Sequence, residues 1–220
     1  MGGMKIGVIG TGNMGRTLGL RWAANGHEVL FGSRDRAKAE ALARGHASVR
    51  AGDFDDAAAF GDVILFTARG TFPSALLRRP ETLVGKVVID CNNRDVGNDA
   101  NPSEFRFDGA APGRSLAEEL AADIPQAKVV TAFNTIPHRV LELSREKLLP
   151  HRVSVFLCSD DADAKATVKS LVDELGFVGL DSGTLQHARL VANAADFIRF
   201  HIGPMGLGLF ATLSIQVIPQ

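Results

Sequence analysis

The strongest constraint on this chain is a glycine triplet near its start. Gly10, Gly12 and Gly15 stand at G-x-G-x-x-G spacing directly after a short apolar run, Ile6 to Ile9, of strand length and β-branched character. A helical pattern follows from Met14 to about Ala24, with Leu18, Leu20 and Trp22 among its apolar positions. Gly26 ends it, and Glu28 to Phe31 reads as a second strand. Strand, glycine turn, helix, strand is the opening unit of a dinucleotide-binding fold. Gly10 permits the tight turn. Gly12 lets the main chain approach a pyrophosphate, which is drawn to the free N–H groups and dipole of the helix N-terminus. Gly15 lets helix and strand pack closely. Thr11, Asn13 and Met14 complete the loop and are expected to contact the cofactor. The competing reading is a turn of the same shape that binds nothing.

The tip of the second strand selects the dinucleotide. An NAD site places Asp or Glu there to hold the ribose 2′-hydroxyl. This chain reads Phe31-Gly32-Ser33-Arg34, with no acid at the tip. Ser33 offers a hydroxyl and Arg34 a planar fork suited to phosphate. Lys38, one turn into the next helix, adds charge, and Thr11 reaches towards the same group. These residues favour NADP. Asp35 has the wrong sign for a phosphate and is expected to cap the helix that begins at Arg36.

The 220 residues suffice for one large α/β domain, or for one with a small appendage. A net charge of −1, without a basic stripe, argues against nucleic acid. The two cysteines, Cys91 and Cys158, form no disulfide framework, and the six histidines form no cluster, so no metal is expected. Lys5 opens a strand instead of a leader, and the expected location is cytoplasmic. The sequence has no Tyr at all, which excludes the Tyr-dependent proton donation of short-chain dehydrogenases.

The rest of the first section, residues 1–150, alternates helices and strands as a Rossmann-type domain does. The patterns predict a helix over 36–44, a strand near 48–51, a helix over 53–60 capped by Asp53, and a buried strand over 63–67. The loop after that strand carries Thr67, Ala68 and Arg69, and should border the pyrophosphate and nicotinamide. Further strands are predicted at 87–90 and 129–133, the latter leading into Asn134-Thr135-Ile136-Pro137-His138. Ser115 and Glu118 form a capping-box pattern. Asp95 to Arg114, rich in Asn, Asp, Pro and Gly, reads either as a cover over the site or as an insertion. Residues 151–220 read as a small α/β extension that completes the cleft and is not an independent domain: strands over 153–158 and 177–180, a helix over 162–175, and a long amphipathic helix over 185–201. The extension is expected to continue the main sheet. The uncharged tail from Ile202 to Gln220 is read as packed against the core or a partner subunit, not as a membrane anchor.

Arg189 and Asn193 lie four apart on the last helix and share a face. The pattern resembles the G-x-x-x-K-x-x-x-N helix of β-hydroxyacid dehydrogenases, with Arg where they have Lys. Arginine stays protonated, so Arg189 would bind an anion or a carbonyl and donate no proton. Asn134, His138 and His187 are the other candidates for chemistry, and no dyad stands out.

The stretches IGVIGTGNMGRTLGLRWAANGHEVLFGSR, KVVTAFNTIPHRV and VSVFLCSDDADAKATVKSLVDELGFVGLDSGTLQHARLV together resemble the coenzyme-F420-dependent NADP oxidoreductase family. The cytoplasmic domain of the animal six-transmembrane ferric reductases is similar too, notably at AFNT. The resemblance implies that NADPH passes hydride to a deazaflavin (F420) or to a flavin, FMN or FAD. The acceptor ring would stack on the nicotinamide in a cleft between the main domain and the C-terminal section. The chain is expected to form a homodimer. It also implies that Thr11, Ser33, Arg34 and Lys38 hold the 2′-phosphate and that Asn134 meets the nicotinamide, although an archaeal pattern has His there. Hydride transfer between two rings needs stacking and alignment more than a strong acid. The competing readings are a non-catalytic NADP(H) sensor and a reductase of a small carbonyl or imine, which would need a proton donor.

Overall fold

The computed structural model describes residues 2–94 and 113–218. Six parallel strands form the main sheet: β1 (Lys5–Ile9), β2 (Glu28–Gly32), β3 (Val49–Gly52), β4 (Val63–Phe66), β5 (Val87–Asp90) and β6 (Lys128–Thr131). Their spatial order is β3-β2-β1-β4-β5-β6. The central strands are buried on both faces, so they read as near-continuous apolar runs. The chain winds outward from β1 to β3, then restarts at β4 on the other side of β1. The loops that leave β1 and β4 therefore part from one another and open a crevice at the carboxyl ends of the strands.

Helices α1 (Asn13–Ala24), α2 (Arg36–Ala43), α3 (Phe54–Phe60), α4 (Pro73–Leu76) and α5 (Leu116–Asp123) connect these strands. Their starts are built as the side chains dictate. Asp35 accepts from the Ala37 N–H, and reciprocal capping boxes join Asp53 to Asp56 and Ser115 to Glu118. Gly10, at φ +116°, makes the turn after β1, a conformation that L side chains resist. A Cβ on Gly15 would lie 2.2 Å from the Gly10 carbonyl oxygen, so α1 packs against the turn at a distance only glycine allows.

The chain continues through α6 (His138–Leu141), α7 (Arg145–Leu148), β7 (Ser154–Leu157), α8 (Ala162–Asp173), β8 (Val178–Asp181) and α9 (Ala188–Ile202). The expectation that this section extends the main sheet is corrected here. β7 and β8 pair with each other in a separate two-stranded parallel sheet. An antiparallel bridge between Thr131 and Cys158 joins the two sheets, the Thr131 N–H donating to the Cys158 carbonyl at 2.9 Å. The reason is local. The strand predicted to reach 133 ends at Thr131, and Phe133 adopts a left-handed backbone with φ 65°, which turns the chain out of the sheet.

The C-terminal section is held on the first by the end of α1. Arg21 donates to the carbonyls of Leu141 and Leu175 at 2.8 and 2.7 Å, and the Trp22 indole donates to the Leu171 carbonyl at 3.0 Å. His27 Nδ1 accepts from the Met4 N–H, so its proton sits on Nε2, 3.0 Å from both carboxylate oxygens of Glu174. One apolar core runs through both sections, with Phe133 edge-on to Trp22 and to Phe177. Ile198 and Ile202 of α9 gather Leu209, Ala211 and Leu213 of the tail, and the Ile215 N–H donates to Ser154 Oγ. Among the described residues, no helix is long and apolar enough to cross a membrane. The irregular stretch predicted at 95–114 lies outside the described residues except for Gly113 and Arg114.

Candidate functional site

A cavity of about 480 Å³ opens in the crevice at the strand ends. Its wall on one side is the glycine turn and first residues of α1, Gly12, Asn13 and Met14. Opposite lie the ends of β4, β5 and β6, with Thr67, Arg69, Cys91 to Asn93 and Phe133 to His138. The third wall comes from the C-terminal section: Ala195, Ile198, Arg199 and Ile202 of α9, and Leu209 of the tail.

The turn is shaped for an anion. Gly12 is the N-cap of α1, no side chain caps it, and open space lies where its Cβ would be. A phosphate in that space would meet uncapped backbone N–H groups and the positive end of the helix. Thr67 buttresses the turn, its hydroxyl donating to the Ile9 carbonyl at 3.1 Å. Ala68 is partly buried and packs against the apolar cluster that holds Ile64 and Phe66 of β4. At the tip of β2, Thr11 Oγ1 and Ser33 Oγ lie 3.3 Å apart, so two hydroxyls meet beside the exposed Arg34. Asp35 is occupied as a cap and Lys38 lies 3.7 Å from it, both largely in solvent.

Some predicted residues sit elsewhere. Arg189 is exposed, with Nε 3.6 Å from a Glu118 carboxylate oxygen, and does not line the cavity. His187 accepts the Thr184 N–H as a cap of the turn before α9. The arginine of α9 that does line the cavity is Arg199, ion-paired with Asp196 of the same helix. Sequence reading missed it, though Ala195, Ile198, Arg199 and Ile202 at i, i+3, i+4, i+7 mark one helix face. Asn92 and Asn93 were missed as well, although they follow a strand end just as Thr67 does.

Three asparagines brace the floor. Asn92 Nδ2 donates to the Phe66 carbonyl at 3.0 Å and to Asp90 Oδ1 at 3.0 Å. Asn93 Nδ2 donates to the Asn134 carbonyl at 2.8 Å, and Asn134 Nδ2 to the Asn92 carbonyl at 2.7 Å. Asp90 is 2 % exposed, and burial pushes its carboxyl up to about 6 despite the two bonds from Asn92. Burial likewise raises the Cys91 thiol far above its usual range, so it stays protonated.

Glycine turn, uncapped helix and crevice define a Rossmann-type dinucleotide-binding protein. A family model described as "NADP oxidoreductase coenzyme F420-dependent" matches residues 5–94. The F420-dependent NADP reductase of Methanocaldococcus jannaschii is 30% identical over 204 residues, covering 86% of this chain and 87% of that protein. The chain belongs to the F420-dependent NADP oxidoreductase family. Metalloreductase STEAP3 of Rattus norvegicus is 31% identical over 189 residues, 85% of this chain, which spans 35% of that longer protein. A crystal structure of a candidate F420-dependent NADP reductase from an Arthrobacter species is 29% identical, with TM-score 0.78 over 97% of this chain and 100% of that chain. An imine reductase from Bacillus cereus shares the fold at 18% identity and TM-score 0.62.

The buried carboxyl makes a prediction about stability. Asp90 titrates near 6 in the fold and near 3.8 when unfolded, so the native state binds the proton more tightly. Its contribution is therefore most favourable below pH 4 and is lost as pH rises through 6, by at most about 3 kcal/mol. Asp90→Asn keeps an acceptor for Asn92 and removes the charge. Urea unfolding at pH 4.5 and 7.5 should show the variant gaining stability relative to the parent as pH rises; a constant difference would contradict the assignment.

Proposed function

We propose that this protein transfers hydride between NADPH and a flat tricyclic ring, a deazaflavin of the F420 type, bound in the same cavity. The observation that carries the reading is the chemistry of the lining. Among the described residues the lining holds no Tyr, Lys, Asp or Glu, and His138 is its one imidazole. A ring-to-ring hydride transfer needs alignment and excluded water instead of a strong acid. Membership of an NADP oxidoreductase family supports it.

Bound NADPH supplies the hydride. The Thr11 and Ser33 hydroxyls and the Arg34 guanidinium would hold the 2′-phosphate, a group NADH lacks. The N-terminus of α1 would take the pyrophosphate over Gly12. Ile198, Ile202 and Leu209 form an apolar wall that would pack against flat rings and keep water from them. Arg199, charge-paired with Asp196, sets a fixed cation in that wall, suited to the negative charge that hydride brings to the acceptor. The balance is one hydride, with its two electrons, from NADPH to the ring, and one proton from solvent.

A second reading, a flavin that passes electrons onward to a metal, is favoured by the likeness to metalloreductase STEAP3. Following NADPH oxidation spectroscopically with F420, FMN and FAD in parallel separates the two. Turnover with F420 is expected, and Arg34→Ala should weaken NADPH about ten- to hundredfold, the worth of one charged phosphate contact, while leaving NADH unaffected. Tight NADPH binding without turnover on any ring would contradict catalysis and leave the sensor reading ahead.

We also infer a homodimer joined through α9 and the tail. Leu190 and Phe197 of α9 and Leu207 of the tail are large apolar side chains 66%, 56% and 64% exposed, surface that association with a second copy would take out of water. Sedimentation should give twice the mass of one chain, and Phe197→Glu should halve it. A parent protein that sediments as a single chain at micromolar concentration would contradict the interface.

A further inference from the structure

The cavity floor holds a feature that the bracing of the fold does not account for. The side-chain oxygens of Asn93 and Asn134 are buried and have no hydrogen-bond partner among the described residues, although both residues line the cavity. Native proteins rarely leave such atoms unpaired, so each requires a cause. Their orientation is fixed by the bracing. Each Nδ2 donates to a main-chain carbonyl, at 2.8 Å for Asn93 and 2.7 Å for Asn134. Flipping either amide would set two oxygens face to face at that distance, so the amide orientation follows from the network. The bonds cross between the ends of β5 and β6: Asn93 donates to the carbonyl of Asn134, and Asn134 to the carbonyl of Asn92. Both amides are therefore held in place, each with an N–H engaged and its oxygen left over.

We propose that Asn93 and Asn134 form a paired acceptor that reads an N–H group on the bound ring system, and that this pair is a specificity determinant of the site. The inference rests on the proposed function, since it takes the cavity as the place where the rings bind. Two groups there carry the required chemistry, an N–H beside a carbonyl: the carboxamide of the nicotinamide and the imide of a deazaflavin or flavin. A rigid acceptor rejects an analogue that lacks the N–H, because the buried oxygen then stays unpaired. Aspartate would not serve in place of either asparagine. It would keep the acceptor but lose the donor, and would set a negative charge against the carbonyl that each amide now holds.

The test compares ligands that differ only in this group. Calorimetry on the intact protein gives affinities for NADP+ and its 3-acetylpyridine analogue, which lacks the amide hydrogens. A parallel pair is 5-deazaFMN and its N3-methyl derivative. In the parent protein, one pair should show about a tenfold or larger preference for the ligand that keeps the N–H, and which pair does so identifies the source. In Asn93→Leu and Asn134→Leu that preference should fall to near unity. The parent measurements stand alone should either variant fail to fold. Equal affinity within both pairs for the parent, with NADP+ still bound tightly, would overturn the acceptor role and leave the proposed function intact. A preference that survives in both folded variants would also overturn it. Failure of the parent to bind NADP+ at all would overturn both.

Discussion

The close seating of α1 on the turn after β1 is the constraint from which the remainder follows. Any side chain at Gly15 would collide with the Gly10 carbonyl, so the helix can start directly over the strand end and aim its N–H groups into the crevice. The other end of the same helix carries Arg21 and Trp22, and just beyond it His27, which tie down Leu141, Leu171, Glu174 and Leu175. One rod thus places the anion-binding turn and the C-terminal section relative to each other. The cavity, which needs walls from both, takes its width from that rod. Such polar ties to buried carbonyls are costly to leave unmade, so the arrangement is specific as well as stable.

The same core also positions the floor. Phe133 is held in a left-handed backbone, which for a bulky side chain costs on the order of 1–3 kcal/mol. Its ring is buried edge-on to Trp22 and Phe177, contacts of about 0.5–1.5 kcal/mol each beyond their area. These contacts offset the strain. The result is a chain that leaves β6 abruptly and presents Asn134 beside Asn93. Aromatic packing on one side of the sheet therefore sets the polar geometry at its carboxyl edge.

The first half of the fold was legible because its signals are local. The caps at Asp35, Asp53 and Ser115, the glycine turn and the apolar strands can each be read within a few residues, and each is observed. The meeting of Thr11 with Ser33 could be anticipated from the topology of the opening unit. The rest depends on which face a helix turns inward, and that is set by partners far away in the chain. Arg189 and Asn193 share a face, but the face packed on the cavity is that of Ala195, Ile198, Arg199 and Ile202. The separate pairing of β7 with β8 was hidden for a related reason: two short apolar strands look the same whether they join an existing sheet or start another. The asparagine brace involves residues about 40 apart, and no local pattern announces it.

The central claim is that two rings meet face to face in the cavity and exchange hydride directly. The most direct measurement uses NADPH deuterated at one or the other C4 position, with F420 as acceptor in ordinary water. Direct transfer predicts that deuterium from one of the two positions is recovered on the carbon of the reduced deazaflavin, with no label in the solvent. Label released to water, or transferred equally from both positions, would contradict a fixed stacking of the rings between the ends of the strands and α9.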